Sequence, residues 1–320
     1  MLKRLFLFAL SVLALSASAQ RISNTVLYRD VSSPKYFRIH YENDYFSETD
    51  IYYTQGINLE YVHPAIGNFF ISKLLFRSAF KEAKFGIALE HEGYTPTSIS
   101  HTEILFGDRP FAACLFLKTF SIINDSTSRE RISSSLSAGM IGPMAGGKEI
   151  QEGIHRLINY TLPQGWQHQI QNDVILNYQV EYERGFFSLP DYLLLSVKAG
   201  ARVGTFNTKA WASVILMAGL FDDPFTNFLK RKRKKQVYLY AEPLLNIVAH
   251  DATLQGGFFN ASPYTLSSNE INRIVFQGNA GIVFKINTLQ LEYFQSYLTK
   301  EFETGGTHAW GGVRIGWLVR

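Results

Sequence analysis

A chain of 320 residues that is 46% hydrophobic and 18% charged is too apolar to stay disordered and too polar to be a bundle of membrane helices. A single cysteine, Cys114, excludes an internal disulfide framework and any multi-cysteine metal centre, and a net charge of +4 is too weak to argue for nucleic acid as a partner. The 25 Phe, 17 Tyr and 4 Trp are a heavy aromatic load for a soluble enzyme and suit an outer surface that meets lipid.

The first residues read as an address. Lys3 and Arg4 precede the apolar run from Leu5 to Leu15, and Ala17-Ser18-Ala19 offers a small-x-small cleavage site. A signal peptide is therefore expected over 1–19, followed by a single domain over 20–320. A membrane anchor would need about 18 or more apolar residues, and no later segment could cross a bilayer as a helix. The exported chain is then either a soluble periplasmic protein or a β-barrel.

From Tyr36 onward the period is two. Phe37, Ile39 and Tyr41 alternate with Arg38, His40 and Glu42; Ile57, Leu59 and Tyr61 alternate with Asn58 and Glu60. The clearest run sets Leu176, Tyr178, Val180 and Tyr182 against Asn177, Gln179, Glu181 and Glu183, a strand between two solvents. Twelve strands are predicted, at 36–43, 54–63, 84–93, 109–123, 130–141, 173–186, 192–206, 209–220, 235–250, 272–286, 289–302 and 307–319. Soluble sandwiches also alternate. Strands this long, an even count and aromatic residues near strand ends favour instead an all-β, twelve-stranded antiparallel transmembrane barrel in a bacterial outer membrane. One short helix is expected in an outer loop, at about 147–159, where Ile150, Ile154, Leu157 and Ile158 make an apolar stripe.

With the N-terminus on the periplasmic side, each odd-to-even connection of such a barrel lies outside. Parity then gathers the least barrel-like segments at one rim. These are Glu42-Asn43-Asp44, Tyr53-Thr54-Gln55-Gly56, Glu92-Gly93-Tyr94, Gly107-Asp108-Arg109-Pro110 and the helix with Gln151 and His155. Gln151 and His155 are four apart and share a helix face, beside the apolar stripe and aimed at whatever the helix covers. A histidine at a lipid boundary suits general-base activation of water on an ester, and equally suits plain packing. Asp44, helped by Asn43, Thr54 or Glu92, offers hard oxygen ligands of the kind calcium accepts, although Asn43-Asp44 and Thr54 also read as turn formers. Arg109, Lys148 and Arg156 are candidate phosphate ligands at the outer rim. The basic run from Lys230 to Lys235 falls on an inner turn and reads as a solvated turn.

Tyr41-Glu42-Asn43-Asp44-Tyr45-Phe46, then Tyr53-Thr54-Gln55-Gly56, resembles the N-terminal signature of the outer-membrane lipid A 3′-O-deacylase family. Gly107-Asp108-Arg109-Pro110-Phe111-Ala112 and the block from Ile141 to Gln151, followed by His155-Arg156 and Gly165-Trp166-Gln167, are similar to further elements of that family in the same order. The resemblance covers about 36–186 and implies a calcium-dependent ester hydrolase acting on lipid A of lipopolysaccharide, with its site between the barrel wall and an outer-loop helix. It implies His155 as the base, Gln151 as its helix neighbour, Asn43 and Asp44 as the oxyanion and metal side, Thr54 as a nearby polar group and Glu92 as a weaker metal ligand. Outer-membrane lipids are the expected surroundings and a monomer the expected state. Two positions depart from the family pattern: Thr161 stands where a glutamate is usual shortly after the histidine, and His101 where a lysine is usual after the third strand. No Gly-x-Ser-x-Gly element points to a serine nucleophile, and a Thr54 or Ser nucleophile stays open. An outer-membrane phospholipase and a non-enzymatic channel or adhesin are the rival readings.

Overall fold

The computed structural model describes residues 22–47, 51–78, 82–227 and 233–319. The expected signal peptide lies outside them, as do Lys230, Arg231 and Lys232 of the basic run. The strands are β1 (Tyr36–Asn43), β2 (Tyr52–Val62), β3 (Glu82–Thr95), β4 (Ala112–Asp125), β5 (Glu130–Ile141), β6 (Asp173–Leu189), β7 (Leu193–Gly204), β8 (Asn207–Leu220), β9 (Lys235–Asp251), β10 (Ile274–Ile286), β11 (Leu289–Leu298) and β12 (His308–Leu318). Each pairs antiparallel with its neighbours, and β1 closes on β12 to make a twelve-stranded barrel with no free edge. Among the described residues two α-helices accompany it, α1 (Gly147–Ile158) and the single turn α2 (Ala252–Gln255).

The alternation has the sense of a membrane wall. On β6, Asn177, Gln179, Glu181 and Glu183 are buried toward the lumen while Val174, Leu176 and Tyr182 stand exposed on the outside. The same inversion recurs with Leu59 and Tyr61 on β2, Leu89 on β3 and Leu117 on β4. Polar residues can be buried so densely only because they satisfy one another. Arg38 pairs with Glu60 at 2.7 Å, Lys118 with Glu90 at 2.5 Å and Lys198 with Glu242 at 2.6 Å.

The segment before β1 completes this lumen and has no periodic signature of its own. Residues 22–31 thread through the barrel interior. Thr25 donates to Glu181 at 2.6 Å, Tyr28 to Glu242 at 2.6 Å and Arg29 to Glu292 at 2.8 Å, while Arg131 donates to the Thr25 carbonyl at 2.6 Å. The barrel axis is thus packed. Above the plug a cavity of about 40 Å³, lined by Glu90, Glu92, Lys118 and Lys209 among others, has room for a few waters.

Most predicted strands agree with the observed ones to within a few residues, and two strand ends differ for one shared reason. β4 begins at Ala112 rather than 109, and β11 stops at Leu298 rather than 302. Arg109 and Glu301 leave the wall and meet each other at 2.9 Å in the mouth of the lumen. Pro110, which cannot donate to a ladder, marks the break.

Candidate functional site

α1 lies against the outside of the wall at the outer rim. Gly147 sits so close to β4 that a Cβ there would fall 2.3 Å from the Ala113 Cβ and 2.7 Å from the Trp166 ring, so only glycine allows this approach. Ile99, Phe111, Ala113, Ala145 and Trp166 form a small apolar cluster that anchors this end of the helix. The covered face of α1 carries Gly147, Gln151 and His155. Gln151 and His155 face the wall as their spacing led us to expect, and the apolar stripe beside them opens outward: Ile150 and Ile154 are half-buried, Leu157 is 87% exposed, Ile158 is exposed too, and Met144 and Tyr160 join them. Two polar side chains, Gln151 and His155, face the wall while Leu157 and Ile158 face outward beside Lys148 and Arg156.

Beneath α1 a β-bulge interrupts the pairing of β2 with β3 between Tyr53 and Gln55. Tyr53 points into the lumen against Tyr94 and Trp310. The extra residue then brings Thr54 and Gln55 together onto the outward side, as bulges do beside functional sites. Gln55 lies opposite Asn43 on β1 and Gly93 on β3.

A chain of contacts joins these elements. The Trp166 indole Nε1 donates to Gln151 Oε1 at 2.7 Å, and Gln151 Nε2 reaches Thr54 Oγ1 at 3.4 Å. Asn43 Nδ2 donates to the Thr54 carbonyl at 2.5 Å, and Asn43 Oδ1 accepts from Tyr45 N at 2.7 Å. Asp44 follows directly in a short 3₁₀ turn, where it is buried and its Oδ2 accepts from Ile51 N at 2.6 Å. His155 stands one turn along the covered face from Gln151 and is 6% exposed. These contacts join Asn43, Thr54 and Gln151 on the outer side of the wall, with Asp44 next to Asn43 in the chain and His155 one helical turn from Gln151.

The His155 ring has a defined tautomer. Its Nδ1 is 2.6 Å from the Thr161 carbonyl oxygen. A carbonyl can only accept, so Nδ1 carries the hydrogen and Nε2 keeps its lone pair, the arrangement a general base needs. At the departure from the family pattern, the backbone of Thr161 holds the ring.

The remaining candidates lie elsewhere. Glu92 is on the lumen side of β3, where Tyr94 donates to it at 2.8 Å, so the wall separates it from His155. Arg109 is also in the lumen, held by Glu301 and by Thr253 of α2 at 2.9 Å each and stacked over Tyr94. Lys148 and Arg156 stay on the exposed side of α1, both next to Glu152. His101 is exposed on the β3–β4 loop. Arg233, of the basic run, pairs with Asp191 on the inner turns, at the end opposite the site. Gln55 is the residue that motif reading passed over; its signal was the adjacency to Thr54, hidden by strand parity until the bulge is known.

Among the described residues no group of three or more His, Cys, Asp or Glu converges. A cation at Asp44 would rest on one carboxylate completed by neutral amide, hydroxyl and carbonyl oxygens and by water. That donor set is all hard oxygen, which fits calcium and not a thiolate- or imidazole-seeking metal.

Fold and site together define a class: an outer-membrane barrel whose axis is filled and whose polar cluster lies on the outside of the wall, under a helix at one rim. Over residues 5–319 the chain matches the family described as outer membrane protein LpxR, and it belongs to that family. It is thereby an outer-membrane enzyme that modifies lipid A. No curated protein sequence matches the chain. Among solved structures it is similar to LpxR from Salmonella typhimurium, with a TM-score of 0.73 and 19% identity, covering 89% of this chain and 100% of that one. The β domain of the Bordetella autotransporter BrkA matches with a TM-score of 0.46 and 9% identity, covering 90% of this chain and 99% of that one.

Proposed function

We propose that this protein hydrolyses the ester that links an acyl chain to the 3′ position of lipid A, using water activated at His155. The observation that carries the reading is the contact chain from Asn43 through Thr54 to Gln151 on the outward side of the wall, with His155, whose Nε2 is left to accept, one turn further along the same covered helix face. A substrate lying in the outer leaflet would reach this cluster from the lipid side, past the exposed apolar face of α1, without leaving the membrane.

His155 Nε2 takes a proton from water as the water oxygen bonds to the ester carbonyl carbon, and the carbonyl oxygen becomes an oxyanion. Collapse of this tetrahedral species breaks the bond to the 3′ oxygen of the sugar, and the proton on Nε2 passes to that oxygen. The products are a fatty acid and a free 3′ hydroxyl. Gln151, fixed by Trp166, orients Thr54. The Thr161 carbonyl keeps the imidazole in the required tautomer and favours its transient positive charge. Asp44 is the carboxylate that would hold calcium, which when bound supplies positive charge against the developing oxyanion. Lys148 and Arg156, on the open side of α1, suit the phosphates of the lipid A headgroup.

Mass spectrometry of lipid A from cells with and without the gene tests this reading. Loss of one 3′ acyl unit, abolished by His155→Ala and by a calcium chelator, is the expected result. Intact lipid A accompanied by lysophospholipid would replace it with a phospholipase.

A further inference from the structure

Three side-chain amides stand on the covered outward patch, and two are committed. Asn43 Nδ2 is spent on the Thr54 carbonyl, and Gln151 lies between Trp166 and Thr54. Gln55 differs. It is 1% exposed, and its Nε2 has no hydrogen-bond partner among the described residues. A buried amide donor left unsatisfied is costly, so the position is explained most simply by a partner that arrives from outside.

The geometry says where that partner would sit. The Gln55 side chain lies over Gly93: a Cβ on Gly93 would be 3.0 Å from Gln55 Cγ, 3.3 Å from Nε2 and 3.5 Å from Thr54 Cγ2. The missing side chain at Gly93 is what lets the amide lie flat on the wall beside Thr54, within the cluster that α1 covers. The next outward row below, Tyr41, Ile57, His91 and Leu115, is mainly apolar. The amide thus stands where a polar headgroup gives way to an acyl chain, which is where an acyl ester lies. A neutral donor also matches an ester oxygen better than a phosphate, for which Lys148 and Arg156 carry the charge.

Building on the hydrolase reading above, we infer that Gln55 is a catalytic residue whose side-chain N–H donates to the carbonyl oxygen of the scissile ester and strengthens that bond as the oxyanion forms. The bulge in β2 is then the device that delivers it, because without the extra residue Thr54 and Gln55 would face opposite sides of the wall.

The test uses purified full-length protein in detergent micelles with lipid A, following 3′ acyl release. Gln55→Glu keeps the shape and removes the donor, and Gln55→Leu removes polarity altogether. Each is expected to lower kcat by ~100-fold while KM stays near the wild-type value. Binding of a 3′ ether analogue, which has no carbonyl, should be unchanged. Gly93→Ala, which displaces the amide without altering it, should lower kcat in the same direction and serves if the Gln55 variants do not fold as judged by heat-modifiable migration. A folded Gln55→Glu or Gln55→Leu protein with wild-type kcat overturns the inference, as does a loss that falls on KM and on ether binding. His155→Ala separates the two readings: if it is inactive while the Gln55 variants are not, only the role of Gln55 falls. Absence of 3′ cleavage by the wild-type protein removes both.

Discussion

At the scale of single residues, backbone groups do work that the residue types do not reveal. His155 is oriented by the Thr161 carbonyl, which any residue at that position could supply, so the ring's tautomer does not depend on the side chain there. Side-chain chemistry governs the lumen mouth instead. Burial pushes the Glu301 carboxyl up to about 7, against the opposing pull of Arg109 and with Asp251 adding to the rise. Since this folded value lies above the unfolded value of about 4.3, the native state binds more protons between the two. Its contribution is fully present below about pH 4.3 and is lost as pH rises through about 7. Thermal unfolding in detergent should therefore show a midpoint that falls from pH 5 to pH 8 more steeply in the wild type than in Glu301→Gln. Equal slopes would contradict this account. Asn43, Asp44, Thr54, Gln151 and His155 were legible in the sequence through motif and rim parity. Glu92 and Arg109 reach the same rim but stand on its lumen side, because parity assigns a residue to a rim without saying which side of the wall it faces.

At the scale of elements, the strands declare themselves because each lies between two solvents, so a period of two runs through nearly every one. The helix was equally visible, and so was the face with Gln151 and His155 that it covers, but the openness of the neighbouring apolar stripe was not. An apolar stripe normally marks the buried side because the usual surroundings are water. Here Leu157 and Ile158 face outward and Gln151 and His155 face the wall, so the rule reverses with the solvent. The bulge in β2 was invisible, since one extra residue leaves no trace in composition. The seating of α1 on β4 depends on Gly147. Gly147→Val should lift the helix from Ala113 and Trp166 and cut 3′ acyl release by at least ~10-fold, since small displacements of catalytic groups carry such losses. Heat-modifiable migration of the barrel should be retained. Full activity in a folded Gly147→Val protein would show that the approach of α1 to the wall is not what assembles the site.

At the scale of the whole molecule, a twelve-stranded wall encloses more space than its own side chains fill, and residues 22–31 supply the rest. Nothing in that segment's pattern announces a plug. The only signal was indirect, in the many inward-facing glutamates of the strands, which require counter-charges and donors from somewhere. Arg29 illustrates the energetics: it is fully buried, pairs with Glu292 and stacks over Phe294. Arg29→Ala should destabilise the barrel by about 1.5–3 kcal/mol, because Glu292 loses its nearest cation and is left with the Tyr240 hydroxyl at 2.6 Å and Arg314 at 3.7 Å. Unfolding in urea measures the loss. A single variant as stable as the wild type would show that the plug is not part of the folded core. A filled axis also accords with the proposal that the chemistry takes place on the outside of the wall.

The claim on which all three scales converge is that the cluster beneath α1 cleaves an ester of lipid A. Mass spectrometry of lipid A incubated with purified wild-type and His155→Ala protein, both confirmed as folded barrels, tests it most directly. The account predicts a product lighter by one 3′ acyl chain with the wild type and unaltered lipid A with the variant. The same 3′ loss at the same rate from both proteins would contradict it.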